Sequence, residues 1–534
     1  MKLPIVLVCS LLIGQAAPAQ PARMARLTTG ENYDSAAVAR IIDEGMNHSH
    51  VMEILTYLSD VIGARLTASP SYFRATEWTQ STLAGWGLSN AHFEKWGPWG
   101  HGWAIKRYSA QVIEPVPFPL ISYPKAWSPA TGTLRAEAAI IDASADSTLQ
   151  SYKGKLDGKI VFIDEPVHLL EHFAPDASRL PDSTLLQLAN ADPEQPRMRG
   201  GRPNFFARFR RIFELQSKEL KFCMDEGAAA VVTSSRGDYG TVFVQAASFP
   251  FAPGTPREKL PHVYDPKPPA MLPQFVVAAE HYNRIVHMLQ LGVMVRLEID
   301  FEATVTREDS VANVIAELPG TDLKDEVVMM GGHLDSWHAG TGSTDDGVGV
   351  TASMEAMRIL KTLGLQPRRT IRVALWGGEE EGLLGSRAYV VQHYGTRTPP
   401  TDSTPPVVTL KPEAEHFSVY FNHDNGTGRF RGIYLQGHED LRSLFRSWLA
   451  PFRSMGAATV TARSTGSTDH VSFDDIGLPG FQFIQDELDY DTRTHHTNMD
   501  LLDRIQEEDV KQAAIIMAAF AYNAAMRSEK LPRK

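Results

Sequence analysis

Residues 329–360 read MMGGHLDSWHAGTGSTDDGVGVTASMEAMRIL, and after a short linker residues 370–386 read TIRVALWGGEEEGLLGS. The first stretch follows from an apolar run, 327–330, that stops at His333 and Asp335. A glycine-rich loop carrying Asp345 and Asp346 comes next, then apolar residues at helical spacing. A second apolar run, 371–376, stops at Glu379 and Glu380. Short apolar runs joined by a helical pattern read as parallel strands with a crossover helix. Ionisable side chains gathered where such strands end occupy the edge at which open α/β sheets place their ligands. A histidine with several carboxylates and no cysteine suits a divalent metal, zinc above all.

Working outward, the chain from Ala312 alternates strand and helix. Strands are expected to end at Met330, Trp376, Asn422 and Ile484, with helices over 349–363, 383–392, 439–455 and 505–526. This predicts an α/β fold, a mostly parallel sheet flanked by helices. Upstream, residues 33–87 carry helical periodicity, broken by a loop at 63–70. The tryptophan-rich stretch 96–103 leads into a strand and reads as packing rather than binding. From Pro115 the texture changes to short strand-like runs at 138–142, 159–164, 274–278 and 293–301. Between them, residues 197–214 (RMRGGRPNFFARFRRIFE) form a basic, aromatic tract. A solvated amphipathic helix is the favoured reading of that tract. The sharper one is a lid whose arginines, Arg197, Arg199, Arg202, Arg208, Arg210 and Arg211, reach toward substrate carboxylates.

With 534 residues the chain has room for two or three domains, and its 43% hydrophobic content provides a large core. A formal charge of −11 argues against a nucleic-acid partner. Lys2, an apolar run and Ala17-Pro18-Ala19 are laid out as a secretory signal peptide over 1–19, so export to the periplasm or medium is expected. No later run is long enough for an integral membrane span. Removal of the signal would leave Cys223 as the sole cysteine, so no intrachain disulfide is expected.

Two more candidates follow apolar runs: Asp424 after 417–422, and the pair His495 and His496 before the last helix. Amide hydrolysis at neutral pH needs activated water and a sink for oxyanion charge, which a metal pair about 3.5–4 Å apart supplies. Such a pair wants a bridging carboxylate and another carboxylate left free to take a proton. Adjacent Glu379 and Glu380 can divide those roles. Asp335, two residues after His333 on the same side of an extended segment, is placed to hold the imidazole N–H. His438-Glu439 lacks the second histidine of a single-zinc HExxH and is read as helix surface. No GxSxG elbow, Walker loop or GxGxxG is present.

At these residues the chain resembles the co-catalytic di-zinc exopeptidase family, which contains secreted bacterial aminopeptidases and carboxypeptidase Q. The family's five ligand positions occur in order, with 345 − 333 = 12 between the first two. The resemblance implies that His333 and Asp424 bind one zinc, Glu380 and His496 the other, and that Asp345 bridges. It makes Glu379 the general base and Asp335 the residue that orients His333. Some members carry a tyrosine just before the last ligand, where it supports the tetrahedral intermediate. Here that position is His495, an imidazole that could assist the oxyanion instead. Asp346, Glu381 and His470 are read as structural. YKGKLDGKIVFID and DEGAAAVV resemble parts of a β-rich protease-associated insert. The implied organisation is a signal peptide at 1–19, catalytic segments at 20–114 and 304–534, and the insert at 115–303. The implied function is peptide hydrolysis with two Zn²⁺ ions per chain, on dipeptides or short peptides. Aminopeptidase and carboxypeptidase or dipeptidase action stay open, as does a homodimer. The alternatives are a non-catalytic receptor on the same fold and a zinc amidohydrolase or cyclase.

Overall fold

The computed structural model describes residues 33–143, 146–192, 205–256, 259–399 and 405–534. The export signal expected at 1–19 and Arg197, Arg199 and Arg202 lie outside the described residues; Arg208, Arg210 and Arg211 fall on the helix Phe205–Asp225.

Four parallel strands form the centre of the first sheet: β1 (Leu323–His333), β2 (Arg369–Trp376), β3 (Phe417–Asn422) and β4 (Gly480–Gln485), in the order β2-β1-β3-β4. Its margins depart from the parallel pattern. Val311–Leu318 runs antiparallel to β2 and to Ser89–Trp96, and Phe430–Tyr434 runs antiparallel to β4. The centre is apolar on both sides of the pleat because helices cover both faces. Val328 and Met330 enter one hydrophobic cluster while Val327 and Met329 enter the other, the alternation a strand imposes.

The first cluster includes α1 (Val348–Thr362) and α2 (Glu507–Met526). From Val510 to Ala525 nearly every side chain of α2 is buried, so its apolar residues run all round instead of along a stripe. Among the described residues no helix is long and apolar enough to cross a membrane. The tryptophan-rich stretch is packing, as its sequence suggests: Trp99 and Trp103 are buried, and Trp99 stacks on Tyr264 at 4.1 Å. His438 departs from the surface reading, for it is buried with its ring against Phe481.

A second sheet takes its strands from residues between His101 and Arg307. Its long antiparallel pair, His101–Glu114 with Arg296–Arg307, continues through Gly132–Ile140 into the parallel strands Ile160–Phe162, Ala230–Ser234 and Gln274–Val277. The boundary expected at residue 115 thus falls just after one of its strands. Segments of this part reach the loop that follows β4. Single β-bridges join Phe243 to Thr497 and Ser178 to Leu488. The Arg493 guanidinium donates to Asp176 (2.7 Å) and Asp238 (2.8 Å).

Candidate metal centre

Every candidate side chain comes from the C-terminal edge of the first sheet. β1 ends on His333 and leads to Asp335, and the loop into α1 supplies Asp345 and Asp346. β2 leads through Gly377 and Gly378 to Glu379 and Glu380, β3 to Asp424, and β4 to His495 and His496. Gly332 and Gly349 are required here. A Cβ on either would stand 2.3 Å or 2.1 Å from Asp346 Oδ2, so only glycine lets that carboxylate sink between β1 and α1.

His333 Nε2 stands 3.2 Å from Asp345 Oδ1, 3.7 Å from Asp424 Oδ1 and 4.0 Å from Glu379 Oε2. His496 Nε2 stands 3.2 Å from Asp345 Oδ2 and 3.0 Å from Glu380 Oε2. Asp345 therefore lies between the two imidazoles, one oxygen toward each. Ligand atoms of His333, Asp345 and Glu380 lie within 4.8 Å of one another, as do those of His333, Asp346 and Asp424, and of Asp345, His495 and His496. Asp346 belongs to such a group but already serves the backbone, accepting from His333 N–H (3.1 Å) and Gly349 N–H (3.0 Å).

The remaining candidates sort by their contacts. His333 Nδ1 meets the Asp335 carbonyl at 3.0 Å, with that residue's carboxylate farther off at 3.7 Å. The Asp335 carboxylate instead accepts from Glu379 N–H (3.3 Å) and Glu380 N–H (3.2 Å), so it holds the turn that presents both glutamates. His495 stacks on Tyr490 at 4.5 Å, with Nε2 3.9 Å from Asp345 and Nδ1 3.6 Å from Asp491. The His470 ring is buried, with Nε2 3.4 Å from the Thr465 carbonyl and Nδ1 without a hydrogen-bond partner among the described residues.

Sequence reasoning missed four supporting residues. Asp500 accepts from Thr344 N–H (2.5 Å) and Asp345 N–H (3.3 Å), fixing the loop from beneath. It lies only four residues beyond His496, a proximity that could have flagged it. Arg65 donates to the carbonyls of Leu334 (2.8 Å), Thr341 (2.8 Å) and Gly342 (2.7 Å), tying both ends of that loop to the N-terminal segment. The Thr67 hydroxyl lies between Asp335 (3.0 Å) and Glu381 (2.7 Å). Among the described residues, neither carboxylate oxygen of the buried Asp469 has a hydrogen-bond partner. Distances of this kind across hundreds of residues leave no local pattern.

The electrostatics are those of a cation site. Burial alone would lower the His333 and His496 pKa values. Glu379 and the carboxylates of Asp335, Asp345 and Asp424 instead raise His333 well above its usual value. Glu380 and Asp345 likewise raise His496 to about 10. Burial, and then Asp424, Asp469 and Glu380, raise Glu379 well above the carboxylate range, against the pull of His333. Asp345 Oδ2 and Glu380 Oε1 are buried, and among the described residues they have no hydrogen-bond partner. Buried carboxylate oxygens are costly unless a cation or donor answers them, so this donor set fits a divalent metal. The His333 Nδ1 contact to a carbonyl leaves Nε2 free to coordinate. Gln245 sits 3.0 Å from His496 Nδ1, and turning its amide oxygen to that nitrogen frees Nε2 in the same way.

Residues 313–521 match the family model of Peptidase family M28. Carboxypeptidase Q of Pongo abelii is 23% identical over 497 residues, covering 93% of this chain and 90% of that one. A crystal structure of a peptidase M28 precursor from Shewanella amazonensis superposes with a TM-score of 0.64 at 24% identity, covering 93% of this chain and 98% of the other. Residues 313–521 thus carry the mark of Peptidase family M28, and the similarities support a co-catalytic zinc-dependent exopeptidase. BSAP, a zinc aminopeptidase from Bacillus subtilis, shares the fold with a TM-score of 0.54 at 17% identity, over 90% of this chain and 96% of that one.

Proposed function

We propose that this exopeptidase holds two zinc ions and hydrolyses dipeptides or short peptides after export. The observation that carries the proposal is the placement of Asp345 between two imidazoles, 3.2 Å from each, with Glu379 beside one and Glu380 beside the other. His333 and Asp424 would hold one ion, Glu380 and His496 the second, and Asp345 would bridge. Lewis acidity toward the carbonyl and toward water is the chemistry a zinc pair supplies. Glu379, whose proton affinity is raised, takes the proton of the attacking water and returns it to the leaving amine. Asp335 positions Glu379 and Glu380 through their backbone N–H groups, and the His495 imidazole faces the developing oxyanion. We take the second sheet and its connections, which run from His101 to Arg307 and so exceed the expected bounds 115–303 at both ends, as the inserted unit, and the layout of residues 1–19 supports export.

The test is metal analysis of purified protein together with hydrolysis of dipeptides and of peptides blocked at either end. Two zinc ions per chain and cleavage of unblocked short peptides are expected. Trace metal with activity intact would end the proposal.

A further inference from the structure

A cavity of about 650 Å³ opens beside the last ligand candidate, lined by His496 and Gln245 at one side and by Lys125, Arg236, Asp164 and Glu219 elsewhere. Three hydrogen-bonded segments set its floor, with His496 itself in a turn at φ 61°. Val244 N–H donates to the His496 carbonyl at 3.0 Å, and Ala126 N–H to the Gln245 carbonyl at 3.0 Å. About two strand spacings, roughly 10 Å, thus separate the backbones of Lys125 and His496.

Lys125 is half-buried, and among the described residues its ammonium has no hydrogen bond or ion pair. Burial lowers its pKa, with Asp164 acting in the opposite sense. Arg236 lies over the Phe243 ring at 4.1 Å and also makes no hydrogen bond to a described residue. A half-buried ammonium without a hydrogen-bonded partner is costly, which marks Lys125 as a place where a ligand's anion is expected, whereas Arg236 is exposed and interacts electrostatically with Asp491. The nearby carboxylates compete weakly. Asp164 accepts Ser234 N–H at 2.7 Å and has its pKa raised by burial, against the pull of that bond and of Lys125, while burial raises Glu219 to about 8, which favours its neutral form. Asp142 and Glu165, also on the wall, oppose an anion and are weighed by the test below.

Building on the peptidase reading above, we propose that Lys125 and Arg236 hold the C-terminal carboxylate of a short peptide whose scissile carbonyl lies beside His496. Each residue of an extended peptide spans about 3.5 Å. With the lysine side chain reaching back across the cavity, one or two residues fit between the scissile bond and the ammonium. Free-acid dipeptides and tripeptides are then the favoured class, and a C-terminal amide, which lacks the charge, is disfavoured.

The experiment compares kcat and KM for matched free-acid and C-terminally amidated di- and tripeptides, using the full zinc-loaded protein, Lys125→Met and Arg236→Gln. Calorimetry with a free-acid dipeptide and its amide on chelator-treated protein gives a reading that does not depend on turnover. The wild type should favour the free acid by about ten- to a hundredfold, mostly through KM, as expected for a charge-assisted contact. Each variant should cut that ratio about tenfold or more, with the same loss in binding. Arg236 is exposed, so its variant stays informative if Lys125→Met fails to fold. Equal use of acid and amide by the wild type, or a ratio unmoved in a folded variant, would overturn the proposal while leaving peptide hydrolysis standing. Preference for a free N-terminus over a free C-terminus would overturn it in favour of the carboxylates on the wall. Failure to cleave any peptide would instead count against the peptidase reading itself.

Discussion

The two sheets meet at His496 and contribute to that place in opposite ways. The first sheet supplies chemistry from strand ends, through side chains that are buried (His333, Asp335, Asp345) or half-buried (Glu379, Glu380, Asp424, His496) and braced by hydrogen bonds from Asp335 and Asp500. The second supplies a wall, through backbone pairing with residues 496–497 and through polar groups left open to a cavity. Reacting groups need sub-ångström placement, which strand ends and a buried loop provide. Selection of substrate tolerates longer, half-exposed side chains, and a separate layer can change without disturbing the ligands.

That division predicts a graded set of losses. Chelation should abolish turnover, and zinc should restore it; metal content and activity measured together would break the comparison if they failed to move together. Next in size, Glu379→Gln should lower kcat by about 10²–10⁴-fold with metal retained, whereas Glu380→Gln should lose metal first. Exchanged phenotypes would mean that the division of labour between the glutamates is reversed.

Support from each layer can then be compared directly. Asp500→Asn, beneath the first sheet's loop, and Gln245→Ala, from the second unit, should each weaken zinc binding about 10–100-fold, read by competition with a chelating dye. A null effect for Gln245→Ala alone would make the second layer a wall and nothing more.

The smallest effect concerns pH. Burial raises Glu219 to about 8 in the folded state, above its ordinary value in the unfolded chain. The folded state therefore binds more protons, and stability present at low pH is lost as pH rises from about 4.5 to 8. Glu219→Gln should remove that part of the loss, on the order of a few kcal/mol at most. Thermal unfolding at pH 5 and pH 9 reads the difference. A variant that loses as much stability as the wild type would assign the slope to other groups.

By itself the sequence determined the central strands, their helices and the order of the candidate ligands. Apolar runs that stop at glycine and an ionisable residue are local, and buried parallel strands have few other ways to be written. His333, Glu379, Glu380 and Asp424 could be named because each closes or closely follows such a run; Asp345 and His496 lie in loops farther on, and the roles of all six came from the family resemblance. The antiparallel margins, the capping of the glutamate turn by Asp335 and the anchoring by Arg65 and Asp500 were decided by the tertiary structure. So was the cavity, where Lys125 comes within reach of a residue 371 positions away by number, 496 − 125. Periodicity records what a residue does for its own strand or helix. Contacts between layers depend on how two finished sheets dock, and no spacing in the chain encodes that.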